Sequence, residues 1–84
     1  MELKEAVVLD VREDLRLKKE PFDKIMAAVR SIEVGQELIL HAPFNPLPLH
    51  KVLHRKGFAH QVEKVEKRHW IVTYVKKGLR NDYR

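Results

Sequence analysis

The sequence predicts an α+β two-layer sandwich, ordered β-α-β-α-β-β, with a four-stranded mixed sheet and two helices on one face. Three observations predict it. Short runs rich in β-branched residues recur along the chain, at 6–11, 37–42 and on both sides of residue 68. Two intervening stretches carry apolar residues at helical spacing, and each is opened by proline. A length of 84 residues leaves room for one such domain and no second.

Taken in order, Ala6-Val7-Val8-Leu9-Asp10-Val11 reads as a buried strand and the charged stretch 12–19 as a loop. Glu20-Pro21-Phe22-Asp23 opens the first helix: proline lacks the N–H that a first turn leaves unpaired, and the two acids face the positive end of the helix dipole. Phe22, Ile25, Met26, Val29 and Ile32 fall on one arc of that helix, an ordinary core-facing stripe, and it runs to about Ser31. Val34-Gly35-Gln36 turns the chain into the strand from Glu37 to Ala42. In Pro43-Phe44-Asn45-Pro46-Leu47-Pro48-Leu49, Asn45 reads as the N-cap of a second helix, with both later prolines where no intrahelical donor is needed. That helix buries Leu49, Val52 and Leu53 and stops at Gly57. Strands from Phe58 to about Lys67 and from His69 to about Lys76 form a hairpin around Lys67-Arg68. Residues 1–76 are the expected domain and 77–84 a frayed tail.

Two right-handed β-α crossovers place both helices on the same side of the sheet and leave its other face open. The alternating residues of the last strand, Trp70, Val72 and Tyr74 against Ile71, Thr73 and Val75, are apolar on both sides. A homodimer through that open face is therefore expected.

Composition excludes several function classes. With no cysteine, the chain has no thiolate nucleophile, disulfide or Cys-ligated metal. No run approaches the ~18 apolar residues that span a bilayer. The first five residues do not resemble a secretory leader, and a cytoplasmic location is expected. Charge is lopsided: residues 1–42 carry seven Lys/Arg against nine Asp/Glu, whereas residues 43–84 carry ten against three. A basic half attracts anionic partners, although lysine-rich surfaces often serve solubility alone.

Val8-Leu9-Asp10-Val11-Arg12, the Glu20-Pro21-Phe22 helix start, Pro46-Leu47-Pro48-Leu49, Gly57-Phe58 and the Trp70-Ile71-Val72 strand occur in an order that resembles the TusA/SirA-like sulfur-carrier superfamily. The chain is most similar to the domain of unknown function 2249 family, and the resemblance covers residues 6–76. Carriers of that superfamily place a Cys-Pro-x-Pro motif at the first helix start, where the helix tip favours the sulfur-bearing thiolate. This chain reads Glu20-Pro21-Phe22-Asp23 there, and a carboxylate cannot hold a persulfide. The resemblance thus implies a carrier-like docking module without sulfur relay. Many members of the 2249 family also carry histidines before the first helix and an Asp-His-Asp-Pro-like stretch after the second strand. This chain has no histidine before its first helix and reads His41-Ala42-Pro43-Phe44-Asn45-Pro46 instead, so no metal role carries over.

Carriers dock on partner enzymes near the first helix. The expected partner or ligand surface accordingly combines Asp10, Arg12, Glu20, Pro21, Phe22, His41 and Asn45; the plainer account of Asp10 and Arg12 is a loop ion pair. The alternative of RNA binding would use Lys64, Lys67, Arg68, Trp70, Lys76 and Lys77, which interleave cations with an aromatic ring. His50 and His54, four apart, have metal-chelating spacing, but they are expected opposite the buried arc beside Lys51 and Arg55, as part of a solvated face. No Ser/His/Asp order, phosphate loop or zinc constellation is visible, so no catalysis and no cofactor are expected.

Overall fold

The structure, a computed structural model, describes residues 5–78. Seven elements follow one another: β1 (Val7–Asp10), α1 (Arg12–Arg16), α2 (Phe22–Ser31), β2 (Glu37–Ala42), α3 (Leu47–Arg55), β3 (Phe58–Glu66) and β4 (His69–Lys76). The four strands form one sheet in the order β1-β2-β4-β3. β1 runs parallel to β2, and the other two pairings are antiparallel. The fold is the expected two-layer α+β sandwich with a mixed sheet.

One expectation fails at the start of the chain. Residues 12–16 form a short helix, not part of a loop. Its first turn carries Glu13 and Asp14 and its last turn Arg16, the arrangement a helix dipole favours, and Arg16 pairs with Glu13 one turn away. Lys24 of α2 reaches Asp14 at 3.1 Å and ties the two helices together. Lys18, at φ 62°, ends the helical run in the left-handed region.

The core lies between the sheet and the two longer helices. Leu38, Leu40 and Ala42 of β2 meet Val72 and Tyr74 of β4 on the helix-covered face, with Ile25, Met26, Val29 and Ile32 above them on one side and Leu53 on the other. The period of α2 is therefore as expected, with one exception: Phe22 is 46% exposed and is not a core residue. α3 ends at Arg55 with Lys56 as its C-cap, and the next residue, Gly57, has the φ of 92° that a helix-terminating glycine supplies without strain.

Asn45 does not cap α3. Pro46 occupies the N-cap position, and the Asn45 side chain turns to His50 instead. Of the expected frayed tail, Lys77 donates its backbone N–H to the Gly57 carbonyl at 2.7 Å, and residues 79–84 lie outside the described part of the chain.

Candidate functional site

A groove of about 250 Å³ opens where α2 and α3 begin, above the ends of β1 and β2. Both helix starts carry proline, Pro21 at α2 and Pro46 and Pro48 at α3. Pro21 and Phe22 form one wall, and Pro46, Pro48, Leu49 and Val52 the other. Leu40 and Ala42 of β2 make the floor, with Val11, Leu15 and Ile25 closing the far side. Phe44, 51% exposed, also lines the groove. Glu20 is the one charged residue in the lining.

Glu20 also decides the chemistry of the helix tip. Its carboxylate accepts the Phe22 backbone N–H at 3.0 Å. The first free donor of α2 is thus filled from within the chain. At the α3 start, Pro46 and Pro48 have no N–H, and Leu47 and Leu49 donate to the carbonyls of Asn45 and Pro46. The α3 start thus offers no unpaired donor, and the rest of the groove lining is apolar side chain.

Of the expected partner surface, Asn45 is turned to His50, and the other six residues divide in three. Glu20, Pro21 and Phe22 line the groove. Arg12 lies beside it, in a neighbouring depression with Arg16, Arg68, Leu15, Pro43 and Phe44. Asp10 and His41, neighbours in the β1–β2 register, project from the opposite, open face of the sheet. Asp10 holds Arg12 through both carboxylate oxygens, at 2.7–3.3 Å, and that hydrogen bonding, against a small desolvation effect, pulls its carboxyl down to about 2. The same contact raises the Arg12 guanidinium. His41 does not reach the start of α3; its Nδ1 lies 2.8 Å from Nε2 of His69, one imidazole donating to the other. Val8, 60% exposed, shares this face with Ile39, Ile71, Thr73 and Val75.

His50 corrects the most specific histidine expectation. It is 7% exposed, not solvated, while His54 is exposed, so the two form no chelating pair. Asn45 Oδ1 accepts from His50 Nε2 at 2.7 Å, which leaves Nδ1 to accept the Tyr74 hydroxyl, also at 2.7 Å. His60 stacks on the ring, centroids 4.0 Å apart and planes 9° from parallel. Burial, then the neighbouring His60, pushes the His50 pKa down, and burial pushes Tyr74 up. Both shifts favour the neutral hydrogen-bonded pair. This network fixes Asn45 and with it the segment from Pro43 to Pro46 that walls the groove. Sequence reasoning missed it; the available signal was Tyr74, a strand tyrosine on the core side whose hydroxyl needs a partner. No group of three or more metal-ligating side chains converges among the described residues.

The basic residues weighed for RNA binding are split by the hairpin. Lys67 and Arg68 form its turn, with Lys64 and Trp70 close by and the Lys64 ammonium 5.5 Å from the indole centroid. Lys76 and Lys77 stand at the other end of β4, roughly 20 Å away at strand rise. Lys76 is further occupied by the Ile32 carbonyl. No helix among the described residues is long and apolar enough to cross a membrane.

No curated protein and no solved structure matches the chain. A family model described as an uncharacterized conserved protein, DUF2249, matches residues 8–76, from the second residue of β1 to the end of β4. The chain belongs to the DUF2249 family.

Proposed function

We propose that the protein is a non-catalytic, cytoplasmic docking module that takes a large apolar side chain of a partner polypeptide into the groove between α2 and α3. The observation that carries this reading is the lining itself: apolar walls and floor, with a single carboxylate already spent on capping α2. A catalytic pocket needs a nucleophile or a matched acid and base facing the reacting atom. A docking groove needs desolvated apolar surface and aromatic rims, which Phe22 and Phe44 supply. The groove is about the size of one tryptophan or leucine side chain, smaller than the 300–1,000 Å³ usual for drug-sized ligands. On this reading the module descends from a sulfur-carrier fold whose docking surface outlived its cysteine.

The test is a nuclear magnetic resonance titration of the labelled protein with N-acetyl-tryptophanamide and N-acetyl-leucinamide. Shifts should concentrate at Val11, Ile25, Leu40, Leu49 and Val52, and Phe22→Ala should weaken binding several-fold. Shifts spread evenly over the surface would overturn the reading. So would acceptance and transfer of sulfane sulfur by the purified chain.

A second proposal concerns the open sheet face. Val8, Ile39, Ile71 and Val75 form an apolar row on it, and we propose that a second copy covers them in a homodimer.

A further inference from the structure

We propose that the partner segment is acidic next to its apolar anchor, with a carboxylate seated on a shelf made by Arg12, Arg16 and Arg68. This rests on the docking reading and adds the partner's chemistry to it. The depression that holds the three arginines, about 410 Å³, shares Leu15 and Phe44 with the apolar groove. A chain leaving the groove past Phe44 therefore enters the shelf directly, because Phe44 lines both. No carboxylate lines this depression.

The arginines differ in how they are held. Asp10 grips Arg12 through Nε and Nη2, and Glu13 grips Arg16 through the same two nitrogens. Each guanidinium keeps its Nη1 edge for another acceptor, and each is already oriented, so binding costs less side-chain freedom. Arg68, in the turn between β3 and β4, makes no ion pair among the described residues. It is the cation with a full charge to offer.

A polypeptide fits these features better than RNA. The groove is a concavity of about 250 Å³ among prolines, aliphatic side chains and the Phe22 and Phe44 rings, sized for a single side chain and not for successive stacked bases. The Trp70 ring, the aromatic nearest the hairpin cations, already carries the Lys64 ammonium.

The experiment compares three probes on the intact chain by fluorescence anisotropy or calorimetry: a pentapeptide with tryptophan flanked by aspartates, the same peptide with asparagines, and N-acetyl-tryptophanamide. The acidic peptide should bind at least tenfold more tightly than its asparagine twin at low salt, and the advantage should shrink by 0.5 M salt. Arg68→Glu should abolish the advantage and Arg16→Gln should reduce it, with N-acetyl-tryptophanamide binding unchanged in both. Equal binding of the two peptides, or a preference that survives Arg68→Glu, overturns the acidic-partner inference alone. Failure of N-acetyl-tryptophanamide to bind at all overturns the docking reading beneath it. A short single-stranded RNA that binds more tightly than the acidic peptide, and loses that binding in Arg68→Glu, would give the shelf to nucleic acid and overturn the inference.

Discussion

Replacing His50 by leucine removes the acceptor of the Tyr74 hydroxyl and the donor to Asn45 while keeping an apolar side chain of similar bulk. Tyr74 is fully buried, and a buried hydroxyl left without a partner costs about 1–3 kcal/mol. Asn45 is only half-buried and regains water, so its loss adds less, about 0.5–1 kcal/mol. His50→Leu should therefore lose about 1.5–4 kcal/mol in urea unfolding at pH 7.5, equivalent to roughly 6–30 °C in Tm for a domain of this size. Adding Tyr74→Phe removes the stranded hydroxyl and should return about 1 kcal/mol or more. The pH dependence follows from the same burial. Desolvation, then the charge of His60, lowers the His50 pKa in the folded protein, so the unfolded chain takes up a proton near pH 6.5 that the folded one refuses. Wild-type stability should fall as pH drops below about 6.5 and level off once the folded value is passed. The His50→Leu variant should lack that step. A loss under about 0.5 kcal/mol at pH 7.5, or an identical pH profile in the variant, would refute the buried network.

The Asp10–Arg12 pair sets a second pH window: with the folded Asp10 pKa near 2, its contribution is complete above the ordinary carboxylate value of 3.8 and lost as pH falls through about 2. Being largely exposed, it should amount to at most about 0.5 kcal/mol, read as the acid-limb difference between wild type and Asp10→Asn. Glu20→Ala removes the carboxylate from the α2 tip and should cost about 0.5–1 kcal/mol in thermal unfolding at neutral pH; no change would mean that the Phe22 N–H does not depend on it. If a second copy covers the sheet, sedimentation should give a dimer at micromolar concentration, and Val8→Asp should yield a monomer without loss of stability. A wild-type monomer at that concentration would remove the homodimer.

The four strands, α2, α3 and the stop at Gly57 were legible because periodicity and punctuation are local properties of the chain. α1 was not: five charged-rich residues carry too little pattern, and what holds them helical is Leu15 against the core and the Lys24–Asp14 tie to α2. His50 was misplaced because its position on α3 sits at the edge of the apolar arc. The flank it occupies is covered by the hairpin that brings His60 and Tyr74 over it, a long-range event. Asn45 was assigned to a local cap for the same reason, since its acceptor is claimed by a side chain five residues on. Glu20, Pro21 and Phe22 were legible as a helix start, and they line the groove. Phe44 lies in the turn between His41 and Asn45, both expected surface residues, and it too lines the groove; Leu15 was not legible, because its place in the lining depends on how α1 packs in space. His41 and His69 become neighbours only once β4 pairs with β2, an order the sequence does not announce.

The docking account is tested most directly by intermolecular nuclear Overhauser contacts between the tryptophan of the acidic pentapeptide and the methyl groups of the protein. The account predicts contacts from the indole to Val11, Ile25, Leu49 and Val52, around the groove floor and walls. Contacts instead to Val8, Ile39, Ile71 and Val75 would place the partner on the open sheet face and contradict it.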